Sequence, residues 1–321
     1  MPALARQSLK ASSDQSEFLQ DVLHGLHQSP PTLPCKYFYD RAGSQLFEEI
    51  CRLDEYYVTR SEIDLLQQCS RQIAQHIEPS TTVIEPGAGA GVKAAILLDA
   101  MPSPRAFVPL EISASALEEA TQSLHKHFPG LDIHPLEGDF TADPQDIRSA
   151  LPETDNTLIF FPGSTIGNFS APEAVEVLGN LSTLAGEDGH ILVGADQIKD
   201  RQRLTNAYDD EKGITAEFNK NILKRINREL DANFDLSGFV HRAIYNESLD
   251  RIEMHLVAKG DQRVTVSGHT FEFADGTFIH TENSHKYSDD SFRRLTQQAG
   301  LQMVQNWSNG EVALYLLARS R

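Results

Sequence analysis

The stretch Thr82-Val-Ile-Glu85-Pro-Gly87-Ala-Gly89-Ala-Gly91-Val-Lys93 decides the fold. A short apolar run ends in three glycines at alternate positions, and a helical pattern follows over residues 92–101. Small residues at a strand-to-helix junction let the backbone approach a ligand, and the helix beyond offers unpaired N–H groups. The spacing departs from Gly-x-Gly-x-x-Gly, so it does not indicate a grip on a dinucleotide pyrophosphate.

Working outward, further strands are expected at residues 106–112, 131–136, 157–161 and 190–194. Helices are expected between them at 114–127 and 172–184. Strands alternating with amphipathic helices at this spacing predict a parallel sheet with right-handed crossovers, a Rossmann-like α/β unit. Upstream, residues 1–16 are polar and read as a flexible lead-in. An amphipathic helix follows over 16–28, stopped by Ser29-Pro-Pro. An aromatic-rich stretch carries Tyr37, Phe38, Tyr39, Phe47, Tyr56 and Tyr57, and Ser61 is expected to cap a helix running to about His76. Beyond Asp200, helices at 204–208 and 215–230 precede β-type runs at 238–246, 251–258, 263–267 and 270–273. Turn-forming residues separate those runs, as an antiparallel sheet inserted into or appended to the α/β unit requires. A helix at 291–299 and strands at 302–307 and 312–318 close the chain, with the strands expected as an antiparallel edge of the first sheet.

Composition narrows the function. The 321 residues carry 46 acidic and 28 basic side chains, a net charge of −18, which repels phosphate backbones and argues against nucleic acid as a partner. No apolar run approaches the ~20 residues of a membrane span, so no membrane partner is expected. The opening residues lack the apolar core of a secretory signal. Three cysteines, Cys35, Cys51 and Cys69, form no Cys-x-x-Cys pattern and read as reduced thiols of a cytoplasmic protein. His125 and His127 do not share a helix face, and His24 and His27 lack carboxylate or cysteine company, so no metal is expected. Gly163-Ser164 is only half of a nucleophile elbow.

Two further residues fall where a nucleoside ligand would need them. Glu111 ends the second strand, where an acid can accept both ribose hydroxyls. Gly138-Asp139-Phe140 follows the third, where a carboxylate and a backbone N–H can read an adenine. Each alone reads as an ordinary turn, a solvated acid or a helix cap; three in order after successive strands point to a nucleoside site. The run Glu-x-Gly-x-Gly-x-Gly is similar to motif I of S-adenosylmethionine (SAM) methyltransferases.

Other strings carry a more specific likeness: Lys36-Tyr-Phe-Tyr-Asp40, Ala42-Gly-Ser44, Leu53-Asp-Glu-Tyr-Tyr57 with Thr59-Arg60, and Gly163-Ser-Thr-Ile-Gly-Asn168. Downstream come Asp196, Lys199-Asp200, Ala207-Tyr-Asp-Asp210, Thr215-Ala with Phe218-Asn219, Asn227-Arg-Glu-Leu230, Arg251-Ile-Glu-Met254 and Thr281-Glu-Asn-Ser284. From about residue 17 onward the chain resembles the SAM-dependent histidine Nα-methyltransferases of ergothioneine biosynthesis.

The resemblance implies a class I methyltransferase domain over 61–195 and 287–321, and an inserted α+β substrate-binding domain from 17–60 and 196–286. It implies that Tyr56, Gly87, Lys93, Glu111, Asp139 and Phe140 hold SAM. Tyr39, Asn168 and Tyr208 would hold the amine and carboxylate of L-histidine, with Tyr39 and Asn168 at the reacting nitrogen. Glu282 and Ser284 would bind the imidazole, and Phe218 and Met254 would wall the pocket. Some members carry aspartate where this chain has Glu111, and the neighbours of Ser284 also depart from some members. The implied activity is trimethylation of the histidine α-amine to hercynine by a monomer. The alternatives are a related enzyme acting on a tryptophan-like amino acid and a SAM-binding protein without turnover.

Overall fold

The computed structural model describes residues 7–8, 14–152, 154 and 156–320. Its described residues divide into two compact units. The first contains Val58–Ile198 and Lys286–Arg321, joined by the short strand at 7–8; the second is drawn from Ala11–Tyr57 and Lys199–His285.

In chain order the first unit supplies β1 (Gln7–Ser8), β2 (Thr82–Pro86), β3 (Ala106–Glu111) and β4 (Asp132–Ile133). It continues with β5 (Leu136–Glu137), β6 (Thr157–Phe161) and β7 (His190–Asp196). The second unit supplies β8 (Phe239–Asn246), β9 (Arg251–Ala258), β10 (Gln262–Val266), β11 (His269–Phe273) and β12 (Phe278–His285). The chain then returns to the first unit with β13 (Leu301–Ser308) and β14 (Val312–Arg319).

The first unit's sheet runs β1-β5-β3-β2-β6-β7-β14-β13, with β4 also beside β3. Strands β2 to β7 pair in parallel, and β14 lies antiparallel between β7 and β13. Every residue of β2, β3 and β6 is buried, which is why those segments read as unbroken apolar runs rather than alternating ones. The core on one side gathers Ile84, Ile159 and Phe161 with Leu178 and Leu181 of the helix Ala171–Ala185, and with Phe292 and Tyr315.

The expected α/β sheet with an antiparallel last pair is present, with local differences. The strand expected at 131–136 is broken into β4 and β5 around His134-Pro135, because proline has no N–H to give a ladder. Ser61 is not a cap: the helix starts earlier, at Tyr57–Ala74, and the buried Tyr57 and Val58 anchor its first turn instead. The helix expected from 16 begins at Asp14, and most of the expected flexible lead-in lies outside the described residues. A short helix, Pro144–Ser149, capped by the Asp143 carboxylate, is additional.

In the second unit β8 and β12 flank β9 in an antiparallel sheet, and β10–β11 is a separate hairpin. Residues paired across such a sheet share a face. Glu282 lies opposite Met254 and Ser284 opposite Ile252, so these four share one face, while His280 opposite His255 belongs to the other. A bulge between His280 and Glu282 adjusts the register.

Candidate active site

The glycine loop bridges β2 and the helix Val92–Ala100, and Gly87, Gly89 and Gly91 all have positive φ. Gly91 is packed, since a Cβ there would meet Leu124 at 2.9 Å. Gly87 and Gly89 differ: a Cβ at either would meet nothing within 4 Å, so their backbone faces an open cradle. Glu111 borders it, accepting from the N–H of Gly89 at 3.1 Å and of Ser113 at 3.0 Å. Burial raises the Glu111 pKa, and these two N–H groups partly offset that rise. Asp139 folds back on its own turn, accepting from the Thr141 N–H at 2.8 Å and from its hydroxyl at 2.6 Å. Phe140 packs edge-on against Phe161 with ring centres 5.3 Å apart.

Near the glycine loop lie two buried acids, Glu85 of the motif itself and Glu62, which the sequence reading did not single out. Glu62, with a side chain 1% exposed, pairs with Lys93 Nζ at 2.6 Å. The Gly163 N–H donates to the same carboxylate, 2.9 Å from each oxygen. Gly194 has no side chain because a Cβ there would collide with Glu62 Oε1. Glu85 is fully buried, and its Oε2 has no hydrogen-bond partner among the described residues. Burial raises its carboxyl well above the ordinary range, and nearby Glu62 and Glu111 add to the rise against the pull of Lys93. Burial thus favours the neutral form of Glu85, next to the Lys93–Glu62 ion pair.

The loop after β6 begins at Gly163 and ends in a 3-10 turn, Thr165–Asn168. Ser164 takes left-handed backbone there, and its Oγ accepts from the Asp196 N–H at 2.9 Å. Asp196 in turn pairs with Lys286 at 2.7 Å, both side chains fully buried. Asn168 is thus held at the end of a pinned loop, and its half-buried amide makes no hydrogen bond to the described residues.

The second unit holds the remaining expected residues. Tyr39 precedes Asp40, which caps the helix Arg41–Ile50 and accepts from Asn221 at 2.8 Å and Arg228 at 2.7 Å. Tyr208 follows the helix Arg201–Asn206, and its carbonyl accepts from His241 Nε2 at 2.8 Å. Five rings then form a chain of edge and tilted contacts: Tyr39–Phe218 (5.6 Å), Phe218–Phe47 (5.9 Å), Phe47–Tyr56 (6.2 Å) and Tyr56–Tyr208 (6.0 Å). The Tyr208 and Ser284 hydroxyls are 2.7 Å apart. Burial holds the Tyr56 phenol well above its ordinary range, reinforced by Tyr208, Cys51, Tyr39 and Glu282 around it. Met254 is buried on the same sheet face as Glu282 and Ser284. Tyr56, expected with the cofactor, sits in the second unit with the residues expected around the amino acid. Asn168, expected with the amino acid, belongs to the first. Phe47 was readable as part of an aromatic stretch but not as a link between Tyr56 and Phe218.

The strand order and open glycine cradle, bordered by a buried acid after the second parallel strand, define a Rossmann-like class I methyltransferase fold. A family described as histidine-specific methyltransferase, SAM-dependent, matches residues 18–319. The histidine N-alpha-methyltransferase of Mycobacterium tuberculosis is 38% identical over 307 residues, covering 94% of each chain. That of Mycolicibacterium smegmatis is 37% identical over 318 residues, covering 97% of this chain and 98% of its own. Ergothioneine biosynthesis protein 1 of Neurospora crassa is 31% identical over 314 residues, 91% of this chain but 34% of that longer protein. The chain belongs to the SAM-dependent, histidine-specific methyltransferases. Among the described residues no helix is long and apolar enough to cross a membrane.

Proposed function

We propose that this protein uses SAM to trimethylate the α-amino group of L-histidine, giving hercynine, the first step of ergothioneine biosynthesis. The observation that carries this reading is the ring chain from Tyr39 to Tyr208 beside Glu282 and the Tyr208–Ser284 hydroxyl pair. The donor supplies an electrophilic methyl on a sulfonium. Gly87 and Gly89 leave room for it, Glu111 takes its ribose hydroxyls in this reading, and Lys93, Asp139 and Phe140 complete its contacts.

The acceptor must arrive as a neutral amine, because an ammonium has no lone pair. Each transfer therefore forms one N–C bond, breaks one S–C bond and needs one proton removed from nitrogen beforehand. Tyr39 and Asn168 supply hydroxyl and amide groups that can hold the nitrogen while it loses donors. The Tyr56 phenol stays protonated in its buried setting, so it acts as an aromatic wall and hydrogen-bond donor rather than a base. As the last methyl arrives the product becomes a fixed cation, which aromatic faces stabilise by ~0.5–2 kcal/mol. Glu282 accepts an imidazole N–H and Ser284 meets the second ring nitrogen, a pairing that an indole cannot satisfy.

Mass spectrometry of an amino-acid panel incubated with SAM and purified protein tests the reading. Histidine and its mono- and dimethyl forms should all gain methyls and end at the trimethyl product. Turnover of tryptophan but not histidine, or monomethylhistidine that accumulates without further conversion, would defeat it.

A further inference from the structure

The sheet face opposite Met254 carries a cluster for which the methyl transfer has no use. Glu253 and His255 alternate along β9, and His280 faces His255 from β12. One ligand-type atom from each of the three lies within 4.8 Å of the others. We infer that Glu253, His255 and His280 form a binding site for a divalent cation of the zinc type, separate from the residues that hold the amino acid.

Zinc takes nitrogen and oxygen donors at ~2.0–2.2 Å in a tetrahedron, which sets donors roughly 3.3 Å from one another. Glu253 Oε2 and His255 Nε2 are already 3.1 Å apart. Each donor is also held from behind, as metal ligands generally are. The other carboxylate oxygen of Glu253 accepts from Asn246 at 2.9 Å and from Arg251 Nε at 2.8 Å, leaving Oε2 to turn toward the histidines. The His255 ring lies flat on Phe278, with centres 4.1 Å apart. His280 donates through Nε2 to the Glu282 carbonyl at 3.0 Å, which fixes its tautomer. Asn283, in register with Glu253, brings its side-chain amide against His280 on the same face.

Glu253 and His255 are buried, whereas His280 is half-buried and offers the ion a way in. Arg251 on the carboxylate, and Arg242 opposite His255, oppose a dication and weaken its binding.

The test is zinc titration of chelator-stripped full-length protein against a chromophoric chelator, without histidine, because the free amino acid binds zinc itself. Cobalt(II) absorption provides a second signal. One equivalent of zinc should bind, raise the melting temperature and give cobalt the intense visible bands of a four-coordinate site. His280→Asn and Glu253→Gln should each weaken binding roughly tenfold or more, while His27→Asn, on an exposed helix end, should not. Circular dichroism melts of the metal-free variants separate loss of the site from loss of the fold. Absence of stoichiometric zinc binding in the unmodified protein overturns the inference, as does binding unchanged in a folded His280→Asn variant.

Discussion

Removing Glu62 should uncouple the glycine loop from the loop that carries Asn168. Glu62→Ala deletes the partner of Lys93, whose side chain is 18% exposed, together with the acceptor of the Gly163 N–H. Breaking a buried pair by losing one member costs ~3–5 kcal/mol. The low end applies here, about 3 kcal/mol, because Glu85 can take over. Burial and, after it, Glu62 itself raise its carboxyl pKa, so without that repulsion it ionises more readily beside Lys93. Glu62→Gln keeps an acceptor for Gly163 but not the charge, and should cost about half as much as alanine, within the ~1.5–3 kcal/mol of one charge-assisted bond. The natural reporter is Trp307, the single tryptophan, whose indole donates to Gln72 at 2.8 Å on the helix that carries Glu62. Urea unfolding followed by its fluorescence, for Glu62→Gln, Lys93→Met and the double variant, gives the coupling energy. We expect the double variant to be more stable than the sum of the single losses implies, by ~1.5 kcal/mol. Additivity within ~0.5 kcal/mol would show that the pair contributes nothing and that the reasoning is wrong.

Four other outcomes can be checked on the same protein. Gly89→Ala should fold, at a cost of ~1–2 kcal/mol for left-handed backbone, yet lose ~1–3 kcal/mol of SAM affinity by calorimetry as its methyl enters the cradle. Because the folded state binds the Glu85 proton more tightly than the unfolded chain, its contribution to stability is present below the ordinary carboxyl range and is lost as pH rises through the raised folded value. Glu85→Gln should abolish that slope in melting temperature against pH, and equal slopes would show Glu85 ionised. Phe47→Ala should weaken the ring chain and slow the last methylation most, by the ~0.5–2 kcal/mol of a cation–aromatic contact, so time-resolved mass spectra should show dimethylhistidine building up. Glu282→Ala should lower kcat/KM for histidine by roughly ten- to a thousand-fold, and a proportional fall for tryptophan would mean that Glu282 does not read the ring.

The sheet was legible because its signals are local. The run Thr82–Pro86 is apolar, its glycines stand at a strand end, and helix and strand periods alternate after it. The start of the helix Tyr57–Ala74 was less legible, since buried Tyr57 and Val58 anchor it without any capping residue. Glu62 was invisible for a different reason: its carboxylate meets Gly163, 101 residues away, and one sequence shows only a polar position on a helix. The same holds for Glu253, His255 and His280, which become a cluster only through the β9–β12 register and its bulge. Glu282 and Ser284, by contrast, came only through the resemblance, and they share a face because they stand two apart on β12.

The position of β14 has a consequence for how the chain comes off the ribosome. It lies inside the first sheet, between β7 and β13, although it follows all the other described strands in the chain. Until residues 312–319 emerge, the β7 edge stands unpaired, and Leu314, Tyr315 and Leu316, all fully buried in the finished sheet, are missing from the core. Exposed strand edges and uncovered apolar surface are what chaperones bind and what aggregates form from. A stall or nonsense codon just upstream of Val312 should therefore yield insoluble or degraded product rather than a slightly shortened enzyme.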